Sequence, residues 1–249
     1  MSTLKPNVPK GTLNSQGSHL TAILGSLFAI GMLAAPVQAT DINDGQNLSV
    51  NFEARQVALV QSGDFHFKPG QTAPIHTHEA PAIGYVSKGE ILYQVEGREL
   101  QLLKTGDVFY EPAGPRILRF DNASPTEEAI FVDFNLQQEG EPFIAFEKPP
   151  TEAIDRRTLP EAALNANIDG AEIETATIQP GAKQYLDLGQ PVIVYVAEGS
   201  IEVRVSGQGT KRYKAGENFY LFEYAPSAVL KNPSADSLAK AVVFSLHKS

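Results

Sequence analysis

From Gln56 onward the chain is written in short runs whose positions alternate between apolar and polar, or are apolar throughout. In the first half these runs are QVALV, DFHF, AIGYVS, EILYQVEG, RELQLL, DVFYEP, RILRFDN and AIFVDFNL. Each is four to eight residues long, is rich in β-branched and aromatic residues, and is bounded by Gly, Pro, Asp or Asn. Pro69-Gly70, Lys88-Gly89, Glu96-Gly97 and Thr105-Gly106 supply turn dipeptides between them, with glycine where a positive φ is cheap. About eight strands in roughly 100 residues predict a double-sheet jelly roll or barrel.

The pattern then repeats. Tyr85-Val86-Ser87-Lys88-Gly89 matches Tyr195-Val196-Ala197-Glu198-Gly199, and Gly106-Asp107-Val108-Phe109-Tyr110 matches Gly216-Glu217-Asn218-Phe219-Tyr220 at the same offset. Asn122 falls on Asn232 and Phe134 on Phe244. Pro69-Gly70 falls on Pro180-Gly181 with one residue more of offset, so the second copy has lost a residue after that turn. A period this long means two whole domains rather than solenoid units. The first is expected over 45–148 and the second over 168–249. The segment 149–167 reads as a linker with a short helix at 160–165, because Pro149-Pro150 cannot continue a strand.

Residues 1–19 are polar and carry Lys5 and Lys10; the apolar stretch Leu20 to Ala35 follows, then Pro36 and Val37-Gln38-Ala39. This is the layout of a cleavable signal peptide over residues 1–39 with a cut before Thr40. The expected location is therefore exported, periplasmic or extracellular, with no stable membrane insertion after cleavage. Formal net charge is −9, and both leader charges are positive, so the mature part is more acidic still. Such a chain repels nucleic acid and anionic membrane surfaces. With no cysteine, disulfides, thiolate metal sites and cysteine nucleophiles are excluded.

The segment with candidate chemistry is PGQTAPIHTHEAPAIGYVSKGE, residues 69–90. His76 and His78 stand at i and i+2, which on a strand puts both rings on one face, where they can grip one divalent ion. Gly70 followed by His76, His78 and then Gly89, and Gly106 followed by Pro112-Ala113-Gly114 and Asn122, resemble the two conserved motifs of the cupin family. The chain is thus identified as all-β: two tandem cupin barrels (a bicupin) after a signal peptide.

That resemblance implies a transition-metal cofactor (Fe, Mn, Ni, Cu or Zn) held by two histidines and a glutamate of the first motif and a histidine of the second. His76 and His78 match the two histidines, but the glutamate position falls on Ala82 and the last histidine on Ile117. In the second copy the histidine positions fall on Asp187 and Gly189, or on Leu186 and Leu188, with Val192, Phe222 and Ser227 at the remaining places. Only the first barrel is expected to hold metal.

Glu111, Tyr85 and Tyr110 are the nearby groups expected to contact a ligand or to complete the site. His66, between Phe65 and Phe67, is expected to face away from the core, and His247 to lie on the surface. Three functions are consistent with this sequence. They are a small-molecule-binding protein with or without metal, a metal-dependent oxygenase- or isomerase-like enzyme, and a structural protein whose second copy forms an interface, as in a homodimer. The two missing ligands favour the first of these.

Overall fold

The computed structural model describes residues 47–222 and 227–249; the leader read over residues 1–39 lies outside them. Every regular element among the described residues is a β-strand. The first repeat contains β1 (Leu48–Phe67), β2 (His76–Thr77), β3 (Ala82–Lys88), β4 (Glu90–Val95), β5 (Gln101–Lys104), β6 (Val108–Glu111), β7 (Ile117–Asn122), β8 (Ala129–Gln137) and β9 (Ala145–Phe146). After β10 (Asp155–Thr158) the second repeat runs through β11 (Ala162–Ile178), β12 (Lys183–Asp187), β13 (Val192–Glu198), β14 (Ser200–Val205), β15 (Thr210–Lys214), β16 (Asn218–Leu221), β17 (Ser227–Lys231) and β18 (Ala239–Lys248).

One large antiparallel sheet runs through both repeats in the order β16-β13-β18-β11-β1-β8-β3-β6, with β10 added beside β1. Each repeat closes its own barrel with a smaller sheet, β5-β4-β7-β2-β9 in the first and β12-β17-β14-β15 in the second. The join is the pairing of β1 with β11, from Leu48↔Ile173 to Val60↔Ala162. Two runs expected as separate strands, QVALV and DFHF, are therefore parts of a single 20-residue β1.

Over most of β3, β8, β13 and β18 the large sheet is covered on both faces, and these strands alternate between two cores. On β8, Val132 and Phe134 enter a core shared by the two repeats, while Phe131 points into the first barrel. On β13, Ile193 and Tyr195 enter the shared core, and Val192, Val194 and Val196 fill the second barrel. Repeat-equivalent residues meet across the shared core: Phe134 and Phe244 at 5.0 Å between ring centroids, Tyr85 and Tyr195 at 5.9 Å. The two barrels thus face one another within one chain.

The linker expected at 149–167, with its helix at 160–165, is instead strand on both sides of Pro160. Ala162–Asn167 has helical composition, yet β1 offers this segment a full hydrogen-bonding edge, and long-range pairing outweighs local propensity. The register slips between Val57↔Ala166 and Leu59↔Ala163. Asn165 absorbs the extra length with φ of 53°, a left-handed conformation that asparagine tolerates better than most residues.

The repeat is physical as well as textual. Asn122 donates to the carbonyls of Phe67, Lys68 and Glu127 and accepts from Ser124 N–H. Asn232 donates to those of Ile178 and Ser237 and accepts from Ser234 N–H. Both are buried and pin the same corner of their barrels. Gly89 and Gly199 have positive φ, and a Cβ at either would stand 2.7 Å from a backbone carbonyl oxygen, so both positions require glycine. No helix of the described residues is long and apolar enough to cross a membrane.

Because the shared core is built from both repeats, they should unfold together. Phe134→Ala and Phe244→Ala should each cost about 3–5 kcal/mol, and the double variant should cost less than their sum because the rings touch. In urea, each variant should keep a single transition that involves both barrels. A variant that melts one barrel and leaves the other native would refute the shared core.

Candidate metal centre

The short strand β2 brings His76 and His78 to the first barrel's interior, where they are 3% and 1% exposed. His76 sits in a ladder between Ile117 of β7 and Phe146 of β9. Each ring is fixed through Nδ1. That of His76 donates to the Pro74 carbonyl at 2.8 Å, and that of His78 to the Phe143 carbonyl at 3.2 Å. A carbonyl only accepts, so both Nδ1 atoms carry the proton, and in the neutral, ion-binding form of each ring Nε2 presents its lone pair.

Those lone pairs point towards Glu111. Its carboxylate oxygens stand 3.7 Å from His76 Nε2 and 3.3 Å from His78 Nε2, and the three ligand atoms all lie within 4.8 Å of one another. Two donor atoms bound at about 2.1 Å to one ion, at right or tetrahedral angles, stand roughly 3.0–3.4 Å apart. The spacing therefore suits a single divalent ion. His78 Nε2 and Glu111 Oε1 are among the buried polar atoms with no hydrogen-bond partner, the condition expected of groups whose partner is a metal. The residues present fit the ion.

Electrostatics agree. Burial disfavours the His78 imidazolium, but the charge and hydrogen bond of Glu111, with Asp133 and Asn135, together outweigh it and raise the ring's pKa. Burial likewise disfavours the Glu111 carboxylate, which His78 and His76 together hold below its usual range. A positive charge among these side chains is thus favoured by the site itself. Asp133 also faces the cavity; burial and then the Glu111 charge push its carboxyl up to about 8.

The cupin resemblance puts the missing glutamate at Ala82, and Ala82 is the residue directly across the β3–β6 ladder from Glu111. Cross-strand neighbours have Cβ atoms about 5 Å apart, so a carboxylate on β6 can serve a site normally served from β3. Glu111 was legible only as a residue before the Pro112 turn; its pairing with Ala82 needed the register. Ile117, at the position of the expected second-motif histidine, is an apolar partner of His76 in the ladder.

Tyr85 and Tyr110, expected as ligand contacts, stand away from the three-residue centre. Both belong to the shared core between the repeats, with Tyr85 against Tyr195 and Tyr110 against Phe52. Strand alternation is the cause: on β6, Glu111 faces the barrel, so its neighbour Tyr110 must face away. Tyr110 also lines a polar cleft with Arg55, Glu141 and His78, the last of which borders the cavity beside the centre as well. His66 is held by Asp64 and Glu128 at 3.2 Å each and takes no part in the centre. His247 is half-buried near the end of β18, with no contact to the centre.

A cavity of about 220 Å³ opens beside the centre. His76, His78, Glu111 and Asp133 line it along with Phe65, Phe67, Phe120, Phe131, Phe143 and Phe146. Its far wall comes from the segment between the repeats, through Pro150, Ile154 and Arg156. Sequence reading passed over Phe143 and Arg156 because both follow the last run of the first repeat and carry no motif.

The second barrel has replaced the centre with hydrocarbon. At the positions of His76, His78, Glu111 and Asp133 it has Leu186, Leu188, Leu221 and Val243, and all four pack in its core. Of the two alignments open from sequence, Leu186 and Leu188 are the inward pair, whereas Asp187 is exposed.

Comparison with known proteins places these features in context. Residues 63–135 match the Cupin domain family. Among solved structures, AerE from Microcystis aeruginosa aligns with a TM-score of 0.56 and 16% identity over 85% of this chain and 97% of that one. A variant of the Bacillus subtilis oxalate decarboxylase OxdC gives 0.54 and 15% over 85% and 76%. Salicylate 1,2-dioxygenase from Pseudaminobacter salicylatoxidans gives 0.51 and 14% over 76% and 71%. At such identities the likeness is one of fold. No curated protein matches the chain in sequence.

The replacements in the second barrel suggest a direct test. The triple variant His76→Leu, His78→Leu, Glu111→Leu should fold without metal and be as stable as the unmodified apoprotein or more so, by up to about 1–4 kcal/mol, since buried ionic groups are often replaceable by hydrocarbon. Single His76→Ala, His78→Ala or Glu111→Ala substitutions should each abolish stoichiometric metal binding, whereas Asp187→Ala should leave metal content unchanged. Calorimetric titration and denaturation of the apo forms read both effects.

Proposed function

We propose that this chain is a cupin-superfamily protein of two tandem barrels, exported, that binds a small molecule beside a divalent transition metal held by His76, His78 and Glu111. The observation that supports this reading is the convergence of two oriented imidazoles and one carboxylate on a single point at the wall of a largely apolar cavity. Two histidines and one carboxylate leave open coordination positions, an arrangement suited to Fe and compatible with Mn, Ni, Cu or Zn.

A metal so held supplies Lewis acidity and a place for an exogenous ligand. The chain's own residues do the rest. The Pro74 and Phe143 carbonyls fix the two imidazoles, a positioning role that commonly changes metal affinity about 10–100-fold when lost. The phenylalanine walls exclude water and limit what enters. Asp133, the fourth polar group on this wall, offers a proton or a hydrogen bond to a bound ligand.

The second reading is a metal-dependent enzyme, of oxygenase or isomerase type, acting on a small organic substrate. What favours it is the open side of the three-residue centre together with an adjoining cavity deep enough to shelter a reacting group. Likeness of fold to a dioxygenase and a decarboxylase allows this activity without assigning it.

Export is part of the proposal. Untagged protein recovered from the periplasm or medium should begin at Thr40 by mass spectrometry, and should hold close to one equivalent of a transition metal per chain by elemental analysis. Chelation should remove the metal and lower thermal stability; re-addition should restore it, because an ion that binds only the native state stabilises that state. Intact Met1 on the external protein would refute cleavage, and absence of any specifically bound Mn, Fe, Ni, Cu or Zn would refute the metal centre.

A further inference from the structure

Arg156 has no role in holding the metal, yet among the described residues it is the only lysine or arginine lining the cavity. It stands on β10, opposite Phe65 of β1. Its guanidinium lies 3.8 Å from the Phe143 ring centroid and 5.8 Å from that of Phe65. Nη2 donates to the Ser62 carbonyl at 3.3 Å. Gly63 makes room for this arrangement, since a Cβ there would stand 2.7 Å from Arg156 Nε and 2.7 Å from the Phe65 ring. The side chain is thus held by a cation–π contact, a hydrogen bond and a glycine cradle.

What it lacks is an acidic partner in contact, since Asp133 on the cavity wall feels its charge only from a distance. Arg55, Arg116, Arg119, Arg157 and Arg212 each form an ion pair in this acidic chain. Arg156 has none within 4.0 Å among the described residues. A fixed, unpaired guanidinium at the mouth of a cavity is a receptor for a carboxylate, which it can bind through two parallel hydrogen bonds. The charge balance points the same way. With a divalent ion bound, and even with Glu111 and Asp133 both ionised, the cavity with Arg156 carries one net positive charge. Between the guanidinium and the metal end the walls are mainly phenylalanine, and about 220 Å³ is small for a ligand site, where about 300–1,000 Å³ is usual.

We propose that the ligand of this centre is a small monocarboxylic acid with a compact apolar or aromatic body, its carboxylate on Arg156 and its body among Phe65, Phe120, Phe131 and Phe143. This deepens the small-molecule reading above and rests on it. Arg156 acts here as a specificity-determining residue and is not a metal ligand.

Benzoate, its neutral analogue benzamide, and acetate, which has the charge without the body, are suitable probes for calorimetry on the metal-loaded full mature chain. Benzoate should bind at least tenfold more tightly than either of the others. Arg156→Ala should abolish the preference for benzoate over benzamide and leave benzamide binding and metal content unchanged. Arg156→Lys should restore part of the preference.

Equal affinity for benzoate and benzamide, benzoate binding unmoved by Arg156→Ala, acetate binding as well as benzoate, or no binding of benzoate at about 10 mM would each overturn the proposal. A role for Arg156 confined to packing would weaken both aromatic probes alike. Metal content separates this failure from that of the metal centre. Bound metal with no preference for the acid refutes only the role of Arg156. An Arg156-dependent preference in a chain that binds no metal refutes only the centre.

Discussion

Everything in this molecule depends on the antiparallel pairing of β1 with β11. By joining two barrels edge to edge, it makes one sheet that carries a barrel interior on one face and the core between the repeats on the other. Along the buried parts of its strands, neighbouring residues enter the two cores in turn, and a one-residue slip would exchange the two sets. The candidate centre is a product of that constraint. Glu111 and Asp133 point into the first barrel because Tyr110 and Phe134, their neighbours, are committed to the shared core.

How much of this could be read from the sequence follows from the range of each signal. Strand runs, turn glycines and the offset between copies are local or self-referential, so the two-barrel plan was legible, and so were His76 and His78, two residues apart on one strand. The third ligand was legible only as one of several nearby groups, because Glu111 replaces a residue expected at Ala82 and only the inter-strand register makes the two positions equivalent. Tyr85 and Tyr110 stand apart from the centre for a related reason. Aromatic residues near a presumed barrel mouth suggest a ligand contact when the far side of the sheet is taken as solvent, but here that side is a second core. The segment from Phe143 to Arg156 carried no motif. Its importance arises from pairing with β2 and β1, which composition does not foreshadow.

The two barrels show opposite uses of one scaffold. In the second, Leu186, Leu188, Leu221 and Val243 occupy the places of two imidazoles and two carboxyls, so its interior is a closed hydrocarbon core. In the first, the same places hold groups that cannot all be satisfied by the protein alone, as the unpartnered His78 Nε2, Glu111 Oε1 and Asp133 Oδ1 show. Buried polar atoms without partners cost stability. A second barrel with no such groups at these places, bonded along β1 and β11, gives the first barrel a rigid foundation.

The carbonyl of Phe143 that orients His78 has a consequence for how such a chain could be inherited. Phe143 lies beyond the last long strand of the first repeat, on the stretch of chain that leads to the second, and Arg156 lies further along it. A recombination event that copied only the first barrel's recognisable motifs would transfer His76, His78 and Glu111. It would leave behind the group that sets the tautomer of one histidine and the wall that shapes the cavity. The heritable unit of the site is therefore longer than the stretch that carries its motifs.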